Sequence, residues 1–381
     1  MKKLVFSACA LTLTSASAIA NDGDWAQLDE DVQALSASLQ DLEEASINFG
    51  GRIRAMYEYS SDIQPNDGSA NFADADLGGF AVYNARLYAH GTTFSNIGYR
   101  LEYDFAENAA GVGGTPGVFQ NGLLDAYIDI PIGANITIRA GRFRAFVLNE
   151  SRIDSGNLFF VDRAVTAILF AGRENGIAVA GDFDAFEWAV TVQNGEDNLG
   201  DDLFYAVRGG IDFLGEGTKL MEGAYGAGED LEASAGVAYF NNDALDDGDG
   251  FAVEASLAGE LFSVNASLVS LGDEVGLANI DLQERIPGLS VGDVRGEADA
   301  TPFSVSGTFM LVRPDANRGG WELGARYQNL DDDEDTFLID LGVNYYVDGH
   351  NMKYIFNYTK LDSDDSDFEA DVFRIGVNTR F

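Results

Sequence analysis

The amino-acid sequence predicts an all-β protein: a transmembrane antiparallel β-barrel of about 16 strands, preceded by a short N-terminal helix. Three observations carry this expectation. The segment Phe373-Arg374-Ile375-Gly376-Val377-Asn378-Thr379-Arg380-Phe381 places Phe373, Ile375, Val377 and Phe381 on one face and Arg374, Asn378 and Arg380 on the other. A strand apolar on one side and charged on the other suits a wall between lipid and a watery lumen. The same alternation recurs along most of the chain in segments of about 9–13 residues, the length a tilted strand needs to cross the hydrocarbon layer. Finally, Lys2 and Lys3 precede an apolar run from Leu4 to Leu13 and a small-residue site at Ala18-Ile19-Ala20. That is the pattern of a bacterial secretory signal.

Residues 1–20 are therefore expected to be a signal peptide removed on export. Its apolar run is too short to span a membrane as a helix, and no later stretch offers the roughly 20 consecutive apolar residues that a membrane helix requires. Cys9, the single cysteine, lies inside the signal, so the mature chain has no disulfide framework and no thiolate metal site. A composition with 12% aromatics, 44 glycines and 6 prolines fits long strands better than membrane helices.

Residues 21–46 have a different period. Trp25, Leu28, Val32, Leu35, Leu39 and Leu42 form an a/d heptad stripe among polar and acidic residues. A helix this short is marginal without a partner. It could pack on the barrel; a coiled coil between protomers is the expectation adopted here. Its place before the first strand puts it in the periplasm.

The barrel is expected over 47–381. Ile47, Phe49, Ile53, Tyr57 and Tyr59 share a face opposite Asn48, Arg52, Arg54 and Glu58, and Ile97, Tyr99, Leu101, Tyr103 and Phe105 oppose Arg100, Glu102 and Asp104. Strands are expected at 47–59, 80–93, 97–105, 121–130, 135–147, 174–182, 185–194 and 203–213. A second set follows at 231–241, 250–258, 260–271, 301–312, 320–330, 336–347, 351–361 and 369–381. Long or acidic connections alternate with tight ones such as Ser95-Asn96 and Pro131 to Ala134, as outer loops alternate with periplasmic turns. The connection 214–230 breaks the rule: it should be a tight turn and is long.

The net charge is −40, with acidic runs such as Asp331-Asp332-Asp333-Glu334-Asp335 and Asp362-Ser363-Asp364-Asp365-Ser366-Asp367 read as solvated loops. A phosphate backbone would be repelled, which excludes nucleic-acid partners. Divalent cations bridging lipopolysaccharide are conceivable at such runs, but none has calcium-loop spacing.

After the signal the chain has 18 arginines and 3 lysines, Lys219, Lys353 and Lys360. Arginine offers a planar fork suited to carboxylate and phosphate and stays charged at any relevant pH. By strand parity Arg52, Arg54, Arg86, Arg100 and Arg139 point inward, as do Arg208, Arg326, Arg374 and Arg380. Arg142 and Arg144 fall on the opposite parity, so a bulge near Gly141 is expected to turn them inward, since a charge facing mid-bilayer lipid costs several kcal/mol. The connection 148–173 carries Leu158, Phe159, Phe160, Val161, Ile168, Leu169 and Phe170, which a loop in water does not need. It is expected to fold into the barrel, bringing Arg152, Arg163 and Arg173 to the narrowest point. These ten arginines between Arg52 and Arg173 are the candidate pore-lining, anion-contacting residues. Glu102, Asp104, Asp125 and Asp129 are available to pair with them and stiffen the wall instead.

The order Leu101-Glu102-Tyr103-Asp104-Phe105, Asp125-Ala126-Tyr127-Ile128, Arg139-Ala140-Gly141-Arg142-Phe143-Arg144, Asn157-Leu158-Phe159-Phe160-Val161-Asp162-Arg163 and Gly172-Arg173-Glu174-Asn175-Gly176 resembles the phosphate-selective porin O/P family. The resemblance implies a sixteen-stranded homotrimeric porin with an inward-folded third loop and an arginine-rich path for inorganic anions. The chain departs from the pattern in its scarcity of lysine and its acidic outer loops, so phosphate specificity is not carried over.

Catalysis finds little footing. His90 and His350 are the only histidines, and no Walker loop, zinc motif or dinucleotide fingerprint appears. No enzyme activity, metal or cofactor is expected. The reading that follows is passive diffusion of small hydrophilic solutes and ions through an outer-membrane pore, in contact with outer-membrane lipid and lipopolysaccharide, with a weak to moderate anion preference. The rival reading is a structural barrel tethered through its periplasmic coiled coil, with conductance incidental.

Overall fold

The computed structural model describes residues 46–61, 77–93, 96–106, 122–195, 202–215, 220, 222–227, 230–243, 248–272, 300–315, 318–332, 335–363 and 369–381. The expected signal and heptad helix lie outside these residues, apart from Ser46, which already belongs to the first strand.

The first eight strands are β1 Ser46–Ser61, β2 Leu77–Thr92, β3 Gly98–Asp104, β4 Gly122–Ile132, β5 Ile136–Phe143, β6 Glu174–Phe183, β7 Phe186–Asn194 and β8 Leu203–Leu214. The second eight are β9 Glu232–Asn242, β10 Asp249–Gly259, β11 Phe262–Leu271, β12 Phe303–Val312, β13 Gly320–Asn329, β14 Phe337–Asp348, β15 Met352–Asp362 and β16 Glu369–Arg380. Two short helices, α1 Asn149–Arg152 and α2 Val165–Ile168, lie between β5 and β6. Each strand pairs antiparallel with its chain neighbours, and β1 pairs with β16, so the sheet closes on itself. The seam is sealed beyond the last ladder pair by Phe381, whose backbone exchanges hydrogen bonds of 2.9 and 3.1 Å with Gly51. Closure removes the edge strands that an open sheet would expose in lipid, where unpaired backbone groups are costly.

The faces are sorted inversely to those of a protein dissolved in water. Large apolar side chains stand outward, with Phe80 and Phe49 89% and 80% exposed, whereas Arg52, Glu102, Arg208, Arg326, Lys353 and Arg374 are buried inside. Outward aromatics gather near both rims. Tyr57 with Phe80, Tyr103 with Phe105 and Tyr358 with Phe373 lie toward the loop end; Trp321, Tyr345 and Tyr354 lie toward the turn end. Two aromatic girdles bounding an apolar band are what a barrel needs to sit at two membrane–water interfaces.

Two departures from the expected elements shape the lumen. β5 ends at Phe143, not at 147, because the chain leaves the wall there. Ala145, Val147 and Leu148 turn into an apolar cluster with Val165, Phe170, Phe240, Leu338 and Val372. The connection from β8 to β9 is long because it also folds back into the barrel. Glu222 is buried, and its carboxylate accepts hydrogen bonds from the backbone N–H groups of Phe159 at 2.6 Å and Phe160 at 3.2 Å. Its backbone carbonyl accepts from Ser263 and Asn265, both at 2.8 Å, and the Ala224 N–H donates to Thr308 and Glu322. Tyr225 stacks on Tyr346 at 4.4 Å between centroids. Two inward segments thus meet, and the number of strands stays at sixteen.

Candidate solute pathway in the lumen

The inner loop is fixed residue by residue against one side of the wall. Asn149 N–H donates to Glu254 on β10, Val165 N–H to Gln328 on β13, and Val161 N–H to Asn357 on β15. Thr166 shares a 2.7 Å hydrogen bond with Ser267 on β11, and Lys353 donates to the Leu158 carbonyl. The Phe159 ring lies on a glycine pair: Gly324 and Gly342 are opposite each other on β13 and β14, and a Cβ on either would stand 2.4 or 2.6 Å from the ring. No larger residue leaves room for the ring at that height.

With the loop held against β10–β16, the lumen stays open along β1–β5. A cavity of about 400 Å³ remains there, and its lining contains Arg52, Arg86, Arg100, Arg139, Arg144, Arg152, Arg173 and Arg380. Glu102, Asp125 and Asp154 are the lining carboxylates; with Asp104 and Asp129, which hold Arg86 and Arg139, five carboxylates face eight arginines, an excess of three positive charges. Tyr88, Tyr127, Phe143 and Leu220 supply the apolar part. Three of these arginines form one row: Arg380, Arg52 and Arg86 are register partners across β16, β1 and β2. Such a row repels itself unless carboxylates intervene.

The carboxylates do intervene. Asp154 pairs with Arg52 and, at 2.6 Å, with Arg380. Arg86 reaches Asp104 at 2.6 Å and Glu102 at 3.1 Å. Arg100 pairs with Glu102 and lies 3.4 Å from Asp125, which Arg173 contacts at 2.9 Å. Arg139 forks onto both oxygens of Asp129 at 2.8 Å and lies 3.9 Å over the Tyr127 ring. The wall carboxylates therefore orient the arginines as well as partly neutralising them. Burial by itself would raise the Asp154 carboxyl, but Arg52 and Arg380 hold it well below the usual range.

Seven of the ten arginines singled out in the sequence line this cavity: Arg52, Arg86, Arg100, Arg139, Arg144, Arg152 and Arg173. The other three are placed elsewhere. Arg54 points inward as its parity requires, but its guanidinium is taken up by the Val161 carbonyl at 2.6 Å. Arg163 donates to the Glu150 carbonyl at 3.0 Å and to that of Ile153, satisfying carbonyls at the end of α1. Burial and the neighbouring Arg173 push it down to about 9. Arg142 is not turned inward: the ladder runs through Gly141 without a shift of register, and Arg142 stands opposite Ala126, between the lumen-lining Asp125 and Tyr127. Its guanidinium lies along the outer face, donating to the Leu123 carbonyl at 3.2 Å and lying 3.8 Å from Glu174. Gly141 does carry a left-handed φ of +130°. Arg144 reaches the lumen because the chain leaves the sheet after Phe143, and it donates there to the Ala171 and Ile153 carbonyls.

His90 lines the cavity, stacked at 5.8 Å on Tyr88. His350, in the turn between β14 and β15, is packed against Tyr225 and Tyr346, and burial together with Lys353 and Arg380 pushes it down to about 3. Sequence reasoning had no place for Leu220 and Glu222, although the anomalous length of their connection was a signal. Phe146 and Asn157 also went unrecognised, because they act through a loop whose path parity does not describe.

A closed barrel that is apolar outside and charged inside, with a loop folded in to narrow its lumen, has the architecture of an outer-membrane porin. The chain belongs to the phosphate-selective porin O and P family, whose model matches residues 50–255 and 301–380. No curated protein matches the sequence. Among solved structures it is similar to an anion-selective porin from Comamonas acidovorans, at 13% identity and a TM-score of 0.55 over 89% of this chain and 100% of that one. It is also similar to the outer membrane channel DcaP of Acinetobacter baumannii, at 16% identity and a TM-score of 0.53 over 89% and 98%. Pseudomonas putida OprB gives 11% identity and a TM-score of 0.55 over 94% and 97%. The protein is an outer-membrane channel of the porin type.

Proposed function

We propose that the channel carries small hydrophilic anions by passive diffusion in preference to cations. The observation that carries this is the excess of arginines over carboxylates along the cavity, eight against five. Solutes in an aqueous lumen avoid the cost of stripping polar groups of water in hydrocarbon, so no catalytic group is needed. Acidic outer loops oppose anion entry from a distance, but about 0.15 M salt screens charge beyond roughly 8 Å. The arginines act at contact distance between low-dielectric walls, where the same charge counts for more. The preference therefore grows as salt rises.

Residues 1–20 are a signal peptide and 21–45 a periplasmic coiled-coil helix in this reading, with the barrel beginning at Ser46, where β1 starts, one residue before the expected 47. Three copies assemble in outer-membrane lipid beside lipopolysaccharide, as the family resemblance implies. Reversal potentials of purified channels in a KCl gradient test the proposal, for the intact protein and for Arg139→Gln with Arg173→Gln. Anion preference in the intact channel and its reduction in the double variant are expected. Cation preference in the intact channel at high salt overturns it.

A further inference from the structure

Most guanidinium groups along the cavity are already spoken for by carboxylates. Arg52 and Arg380 share Asp154, Arg86 holds Asp104 and Glu102, Arg100 and Arg173 meet at Asp125, and Arg139 forks onto Asp129. Arg144 spends its donors on two backbone carbonyls. Arg152 is different. Its one described hydrogen bond is a 3.3 Å contact to the Asn149 side-chain oxygen, and among the described residues no carboxylate forms an ion pair with it. The plane of its guanidinium is fixed from one side by Phe146, 4.0 Å from the ring centroid, and Arg139 lies 5.5 Å from the same ring. Arg152 also lines a second cavity of about 160 Å³, bounded by Phe146, Trp188, Glu187 and Arg208, and it is the described residue common to both linings.

An oriented fork with unused donors, on an apolar ring at the junction of two cavities, suits a planar oxyanion that carries carbon. Resting on the anion-selective reading above, we propose that Arg152 and Phe146 form a station for small organic carboxylates. The carboxylate would take the free edge of the guanidinium, and its apolar body would lie against the Phe146 side of the junction. Inorganic phosphate can use the fork but gains nothing from the ring. Burial, with Arg139 and Arg208 nearby and Glu187 and Glu254 opposing them, pushes the Arg152 guanidinium down to about 10.

The probes are benzoate and inorganic phosphate, added to single channels of the full-length protein conducting KCl in planar bilayers. Benzoate is expected to interrupt the current at lower concentration than phosphate. In Arg152→Gln its apparent affinity should fall about tenfold, the scale of a lost charge-assisted pair. Arg152→Lys keeps the charge and loses the fork; it should retain anion preference and still lose most of the benzoate interruption. Phe146→Leu, which removes both the ring for the apolar body and the support of the fork, should weaken benzoate more than phosphate. Equal affinity for the two probes in the intact channel overturns the station, as does undiminished benzoate interruption in Arg152→Gln. Either result with anion preference intact leaves the pore reading standing, whereas a cation-selective intact channel removes both.

Discussion

Arg52 and Arg380 face each other across the seam that closes the barrel, and both are bound by Asp154 of the inner loop. Two like charges opposite each other on paired strands destabilise the pair. Here the counter-charge comes from neither strand but from a loop residue 102 positions along the chain from Arg52. Seating the loop and closing the barrel are therefore energetically linked.

Asp154→Asn should loosen both at once. Removing one partner of a buried ion pair costs about 3–5 kcal/mol, and since the Asp154 side chain is 34% exposed, about 1–3 kcal/mol is expected here. Its carboxyl is held low in the folded protein, so its contribution is present above the ordinary carboxyl value of about 4 and is lost as pH falls below it. Heat-induced loss of β signal, followed by circular dichroism at pH 7 and pH 3, checks this. A variant as heat-resistant as the parent at pH 7 would show that the arginine row does not need Asp154.

Glu222 gives the opposite pH sign. Burial pushes it up to about 7, with Arg326 opposing and Glu150 adding to the rise. A carboxyl raised in the fold binds more protons there than in the unfolded chain. Its contribution is full below about 4.3 and is lost as pH rises through about 7. The parent should therefore melt at a lower temperature at pH 8 than at pH 6, and Glu222→Gln should narrow that difference. An equal difference in both proteins would place the titration on another group.

Gly342→Val tests how the loop is held. The added side chain would enter the space of the Phe159 ring, where even a Cβ stands 2.6 Å away. Overpacking of this kind costs about 1–3 kcal/mol. The loop has room to retreat toward the open side along β1–β5, so single-channel conductance should fall. Unchanged conductance and unchanged heat resistance together would mean that the ring does not depend on the glycine pair.

The barrel was legible because a strand between lipid and water must alternate: Phe373 to Phe381 alone could be an ordinary half-buried strand, but the same pattern recurs at spanning length along most of the chain, as at Ile97 to Phe105. The inner loop was legible from Leu158, Phe159 and Phe160, which water would not tolerate together. Parity could say which wall face an arginine occupies, but not what its guanidinium meets. Arg54 points inward and is consumed by a loop carbonyl. Arg142 remains outside, where Leu123 and Glu174 satisfy it near the start of the inner loop. The role of Glu222 depends on a contact between two inward segments distant in sequence, and local pattern contains no record of such a meeting.

The distinction between arginines that face solute and arginines that hold the loop can be measured. Arg163 donates to the Glu150 and Ile153 carbonyls and lies outside the cavity lining. Arg173 lines the cavity and pairs with Asp125 at 2.9 Å. Arg163→Gln removes charge-assisted hydrogen bonds to two loop carbonyls, which keep only Arg144 and the Ile153 N–H as donors, at a cost of about 1–3 kcal/mol, and should lower heat resistance. It should move the reversal potential less than Arg173→Gln, which removes a positive charge from the lining and unmasks part of Asp125. Both variants are compared in the same KCl gradient at high salt, where screening of the outer loops leaves the lumen in control. A larger shift from Arg163→Gln than from Arg173→Gln would mean that loop position, not local charge, sets the selectivity of this channel.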